Sequence, residues 1–283
     1  MNTKENRLER NVPMDILTYI LLILVMLVTV VPVLWGLSTS LKPAAEVEKY
    51  PPLLVPSKVD FTNYYNVLFQ SNFGIYFKNS IFVTLVCVVV ATIVAAHAAY
   101  ALTRFNIRHG KQIMFGILMT SMIPTVALLI PLYIMSVKVG LYNTSFLLVL
   151  IYTAWRAPML TWILYGFFQK IPKEIEEAAY VDGCSKTMIF YRIVLPVSQG
   201  GIISAALLTS VYVWNDFLVQ FSFTTQESLR MISVGLYNYI TQYGVQWGEL
   251  MAAVMISIIP IIVLFVCLQR RFVEGMAAGA VKG

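Results

Sequence analysis

The chain has 283 residues, of which 59% are apolar and only 12% charged, and its mean hydropathy is +0.76. A soluble globular chain carries roughly 25% charge, so these figures exclude a soluble domain. With 12 Pro and 15 Gly dispersed along the chain, they exclude a disordered or collagen-like one as well. The charges stand in short clusters between long uncharged runs, as a bilayer requires of a chain that crosses it.

Four uncharged runs, residues 16–41, 79–103, 112–137 and 250–269, each exceed or match the ~20 helical residues that cross a hydrocarbon core. Two more are interrupted once: 144–169 by Arg156 and 199–221 by Asp216. Six spans are therefore predicted, at about 16–39, 80–102, 113–136, 145–168, 200–221 and 250–269. None shows sustained alternation, so the fold class is an all-α polytopic membrane protein and not a barrel. The first run is too long for a cleavable signal core and no small-x-small site follows it, so it reads as an uncleaved signal anchor.

Lys and Arg set the orientation. Residues 1–15, 103–112, 169–199 and the tail from 269 hold thirteen of the twenty basic residues, including Lys4, Arg7, Arg10, Arg104 and Lys282. The opposite segments hold six: Lys42, Lys49, Lys58, Lys78, Lys138 and Arg230. Both termini are thus expected in the cytoplasm, as a segment 1–15 and a tail 270–283 flanking a membrane domain 16–269. The net charge of +6 needs no nucleic acid to explain it. Cys87, Cys184 and Cys267 avoid the oxidising side, which excludes a disulfide framework, and they lack metal-ligand spacing. His97, in the small-residue stretch 95–99, reads as a packed helix-interface residue and His109 as part of a basic loop.

The loop at 169–199 is long for a compact bundle. Pro172 suits the start of a helix, Glu174, Glu176 and Glu177 favour its first turns, Gly183 stops it and Ser185 caps a second one, which Pro196 ends. Ile175, Ala178, Ala179 and Asp182 give it a face of little bulk that can seat in another protein's groove. The competing reading, an amphipathic helix on the membrane surface, is disfavoured by the three glutamates.

In that loop Glu177-Ala178-Ala179, three residues, Gly183, nine residues, Ile193, one residue and Leu195-Pro196 together resemble the EAA loop of bacterial ABC importer permeases. The likeness extends to Ala99-Tyr100-Ala101-Leu102-x-Arg104-Phe105, Ile130-Pro131-Leu132-Tyr133, Gly140-Leu141-x-Asn143-Thr144, Trp214-Asn215-Asp216-Phe217-Leu218, Gln269-Arg270-Arg271-Phe272 and the tail Gly279-Ala280-Val281-Lys282-Gly283. These are similar to the carbohydrate-uptake branch, the maltose-type inner subunit with six spans. Tyr180 departs from the basic residue many relatives carry there. The resemblance implies the ABC importer type I permease fold and a multi-pass protein of a bacterial or archaeal plasma membrane. It also implies a coupling helix in which Glu177, Ala178, Ala179, Gly183, Ile193, Leu195 and Pro196 meet a cytoplasmic ATPase. A tail contact through Gly279 and Lys282 would reach the same ATPase pair, and the external segment 222–249 would touch an extracytoplasmic sugar-binding protein. ATP and Mg would belong to the partner ATPase, since this chain has no G-x-x-x-x-G-K-[ST] and its Gly110-Lys111 is incomplete. No cofactor or metal is expected on the chain itself. Six helices make half a symmetric pathway, so a second permease subunit is expected, and the family favours a homologous, non-identical one.

Charges inside a span are costly and face a cavity or a partner. Arg156, beside Tyr152 and Trp155, is a candidate pathway residue, or else half of a structural pair with Asp216, another subunit's carboxylate or carbonyls freed by Pro158. Tyr212, Asn215 and Asp216 are further pathway candidates, with helix-to-helix hydrogen bonding as the alternative. Trp35, Tyr76 and Trp247 read as an interface belt. Two other classes, a secondary transporter and a polytopic membrane enzyme, are disfavoured. The chain shows no internal repeat, G-x-S-x-G or H-E-x-x-H, and the long loop would have no task in either. The sugar transported, whether mono- or oligosaccharide, polyol or sugar acid, is open at this stage.

Overall fold

A computed structural model describes residues 12–280, with side chains over 14–270. Lys4, Arg7, Arg10 and Lys282 lie outside the described residues, as do the side chains of Arg271 and Phe272. The principal helices are α1 (Val12–Ser40), α2 (Phe73–Arg104), α3 (Gly110–Thr120), α4 (Thr125–Lys138), α5 (Ser145–Gln169), α6 (Lys173–Val181), α7 (Gln199–Asn215), α8 (Leu218–Phe223) and α9 (Trp247–Ala280). Strand is confined, among the described residues, to Ile240–Thr241 and Gly244–Val245. Four of these helices, α1, α2, α5 and α9, are long and apolar enough to cross a membrane, or six spans result if each of two bent pairs counts as one.

The chain forms two compact units. The first holds α1, the segment up to Gln70 and residues 241–256. Along α1 the large side chains are exposed on every face, as at Leu21 (53%) and Val28 (65%). A helix that is hydrophobic all round belongs in a membrane or a large core. The loop after it is tied down by polar contacts. Asn63 Nδ2 donates to the carbonyls of Ser40 (3.0 Å) and Lys42 (3.1 Å), and Asn66 Nδ2 donates to Glu249 (2.8 Å). Gly248 is required there, because a Cβ would stand 2.7 Å from the Asn63 amide oxygen.

In the second unit α2 and α5 are the main packed pair, with α7 against both. Gly201 makes the approach possible, since a Cβ at that position would meet the Phe167 ring at 2.5 Å. The buried side chains form two clusters. One gathers Val83, Cys87, Leu148, Tyr152, Val213 and Phe223 at one end of the pair. The other gathers Ala95, Ala99, Leu164, Phe168, Phe190 and Ala205 towards the opposite end. Arg156 of α5 falls in the interval between them.

Beyond shifts of a few residues at the starts of α1 and α9, the helices depart from the expected boundaries at four places. The stretch 113–136 is two helices, α3 and α4, bent by 85°. Pro124 has no N–H and drives the preceding residue out of helical geometry, while Thr120 and Ser121 hydroxyls bond the carbonyls of Ile117 and Leu118, both at 2.7 Å. The stretch 200–221 breaks at Asp216, whose backbone is extended (ψ 132°) and whose Oδ2 accepts from Val219 N–H at 2.9 Å, capping α8. At the start of α2, seven residues, Phe73–Asn79, extend the helix before position 80. The stretch 270–283, read as a tail, is helical as far as Ala280, with no proline in Arg270–Ala280 to interrupt it. Gly279 is in that helix.

Candidate functional site

The loop between α5 and α7 folds as helix, glycine turn, helix. Pro172 stands one residue ahead of α6 rather than inside it, with ψ 132°. At the other end Gly183 has φ +87°, Cys184 N–H donates to Ala179 O (3.0 Å) and Gly183 N–H to Tyr180 O (3.1 Å). This pair of bonds is the Schellman arrangement, in which a left-handed residue closes the last carbonyls of a helix. Ser185 Oγ then accepts from Met188 N–H (3.2 Å) and starts the helical stretch 186–197, which includes a π-turn at Phe190–Val194. That stretch meets α7 at 74° beside Ser198, two residues past Pro196.

The inner face of this segment is held by an ion pair. Arg104, the last residue of α2, donates from Nε to Glu176 at 2.5 Å and from its terminal nitrogen to the carbonyls of Phe168 (2.9 Å) and Ile171 (3.0 Å). Tyr100 OH donates to the other Glu176 oxygen at 3.2 Å. A guanidinium on the final carbonyls of α5 also complements that helix's negative end. The two side chains are only 10% and 11% exposed. Ala179, Ile189, Phe190, Val194 and Ile171 pack beside this pair. His97 joins them from α2, its Nε2 2.9 Å from Tyr191 OH and its ring 4.9 Å from that of Phe190.

The expected joint residues divide between two faces. Ala179 points inward and is buried, with Ile193 and Leu195 half-buried against the same cluster. Glu177, Ala178, Gly183 and Pro196 are exposed. Beside them Ile175 is 44%, Tyr180 62% and Val181 86% exposed, and Glu174 and Asp182 are exposed as well, so the outward face mixes apolar side chains with acids. The pairing of Glu176 with Arg104 is what the sequence did not show. Their signal was a lone acid on the inner side of a helix and a lone base at the end of a span, and it became legible only when the two met.

The candidate pathway residues also separate. Tyr152 is fully buried, and its hydroxyl donates to Asp216 Oδ2 at 2.8 Å. Asp216 therefore serves as a cap and a helix-to-helix acceptor and does not pair with Arg156. Trp155 packs on the cluster around Tyr152. Asn215 is exposed and donates to Val211 O of its own helix (2.8 Å). Arg156 and Tyr212 do come together: the guanidinium carbon lies 3.8 Å over the Tyr212 ring, at a cavity of about 490 Å³ that they line with Ser121, Leu208 and Thr209. Tyr76 is buried and hydrogen-bonds Glu227 (2.6 Å), so it is a packing residue rather than part of an interface belt. Among the described residues no three His, Cys, Asp or Glu side chains gather where a metal could bind.

Residues 88–278 match the family model described as the binding-protein-dependent transport system inner membrane component. The chain is similar to the sulfoquinovosyl glycerol transport system permease protein SmoH of Agrobacterium fabrum, with 33% identity covering 89% of this chain and 88% of that one. It is likewise similar to the trehalose transport system permease protein SugB of Mycobacterium tuberculosis, at 34% identity over 89% of this chain and 92% of the relative. Among solved structures, a chain of a bacterial ABC transporter that imports the acidic polysaccharide alginate superposes with a TM-score of 0.81 at 23% identity, covering 92% of this chain and 96% of that one. The fold is thus that of an ABC importer permease, and the chain belongs to the family of binding-protein-dependent transport system inner membrane components.

Proposed function

We propose that this chain is the membrane-spanning permease subunit of an ATP-driven importer that carries a sugar across the plasma membrane. The observation that carries this reading is the 173–197 segment, with an inner face locked to α2 and α5 by Arg104 and Glu176 and an outer face offering Glu177, Ala178, Tyr180 and Val181. A segment so held moves as one body with the helix ends beneath it. A cytoplasmic ATPase pair that closes on ATP can therefore drive the bundle between two states by shifting the energy of this one joint. ATP and Mg reside on that ATPase pair. A second, homologous permease completes the pathway, and an extracytoplasmic sugar-binding protein delivers to it. Both termini lie in the cytoplasm, and the tail contacts the ATPase pair through Gly279 and Lys282. The sugar reading draws on the relatives named above, whose own substrates are sulfoquinovosyl glycerol and trehalose.

The test is purification of the chain with its partners, followed by reconstitution and a screen of sugars for stimulated ATPase activity. Stimulation by sugars is the expected result. If amino acids stimulated hydrolysis and sugars did not, the sugar assignment would fail.

A further inference from the structure

On the reading of the chain as a sugar permease, we propose that Arg156 and the ring of Tyr212 form a subsite for the carboxylate of a sugar acid. Arg156 is the twelfth of the 25 residues of α5, about 17 Å along it at 1.5 Å per residue, in the middle of the span. A charge at that depth is costly and so requires compensation. Part of it is present. The guanidinium carbon lies over the Tyr212 ring at 3.8 Å, and such a cation–π contact offsets part of the cost.

The rest is not supplied by the described residues. Arg156 Nε is buried without a hydrogen-bond acceptor, and Asp216 directs its Oδ2 to both Tyr152 OH and Val219 N–H. Lipid phosphate lies at the bilayer surface, far from mid-span. What faces the guanidinium is open volume. The cavity of about 490 Å³ falls within the roughly 300–1,000 Å³ range of small-molecule sites. It is bordered at Ser121 by the α3–α4 bend, and irregular backbone is tolerated at membrane depth where it lines such a cavity. Its chemistry suits one class of ligand. Met159 and Leu208 offer apolar wall to a sugar ring, while the Ser121 and Thr209 hydroxyls donate to their own helices and keep lone pairs for sugar hydroxyls. The planar guanidinium can take a carboxylate on two N–H groups. A neutral sugar would fill the volume and leave the cation uncompensated.

The experiment uses the complete transporter in proteoliposomes, with galacturonate, glucuronate, mannuronate and their disaccharides as probes beside the matching neutral sugars. At least one uronate should be taken up ten times faster than its neutral counterpart. Arg156→Gln should lower that uptake at least tenfold, and Arg156→Lys should restore part of it. Uptake of neutral sugars with no uronate transported would overturn the proposal and leave the sugar-importer reading standing. Wild-type uronate uptake by Arg156→Gln would overturn it too. Failure of both Arg156→Gln and Arg156→Lys to co-purify with the second permease would reassign Arg156 to an inter-subunit ion pair, also against the proposal. Stimulation by amino acids alone would remove the underlying reading instead.

Discussion

Replacing Glu176 by Ala tests the joint between the 173–197 segment and the bundle. The change leaves the Arg104 guanidinium with two carbonyl acceptors and no counter-charge, and leaves Tyr100 OH without its acceptor. Both members of the pair are about nine-tenths shielded, so solvent screening gives little relief. Removing one partner of such a pair costs about 3–5 kcal/mol, and the lower figure already shifts a docked-to-undocked equilibrium by roughly a hundredfold at about 1.4 kcal/mol per decade. Glu176→Gln keeps one acceptor and loses only charge assistance, about 1.5–3 kcal/mol. The expected order of sugar uptake in proteoliposomes is therefore wild type, Glu176→Gln, Glu176→Ala, with thermal stability of the assembled transporter following it. A double variant, Arg104→Met with Glu176→Leu, should recover stability relative to either single change, because it removes both buried charges together. Wild-type uptake and melting in Glu176→Ala, or full additivity in the double variant, would refute the reasoning.

Gly183→Ala places a side chain at φ +87°, where no neighbouring atom lies within 4 Å of the new Cβ, so the penalty is conformational alone at about 1–2 kcal/mol. Coupling of ATP hydrolysis to uptake should fall, and Gly183→Asn should fall less. Tyr152→Phe removes the hydroxyl on Asp216, a bond to a charged group worth about 1.5–3 kcal/mol; melting should drop accordingly, with Asp216→Asn dropping less than Asp216→Ala because Asn can still cap α8. Glu227 receives hydrogen bonds from Tyr76 OH and from Asn72, which hold its carboxyl below the ordinary glutamate range. Since the folded value is the lower one, its stabilising contribution is complete above the ordinary pKa and is lost as pH falls through the folded value. Melting curves of wild type and Glu227→Gln from about pH 7 to about pH 3 should converge at the acidic end.

The spans that were legible in the sequence are those whose signal is composition. α1, α2 and α9 rest on uninterrupted apolar runs and α5 on one broken only at Arg156, and hydropathy alone identifies them because a bilayer tests each helix by its average. Breaks were harder to see. Pro124 and Asp216 both stood in plain view, yet each could have been absorbed in a kinked helix. At Asp216 the choice was made by Tyr152, 64 positions away, whose hydroxyl fixes the carboxylate where it can cap α8. The glycine turn at 183 and the cap at Ser185 were readable, since both are local contacts within five residues.

Sequence by itself determined that this chain lives in a membrane, that it carries a helix–glycine–helix segment of importer type, and that Arg156 had to be accounted for. It could do so because hydropathy, caps and glycine turns are properties of neighbouring residues. Tertiary structure alone decided which face of that segment is free, that Glu176 belongs to Arg104, 72 positions earlier, and that Asp216 is taken by Tyr152 while Arg156 faces a cavity with Tyr212. Partner choice among buried charges depends on which helices pack together, and packing is a property of the whole bundle.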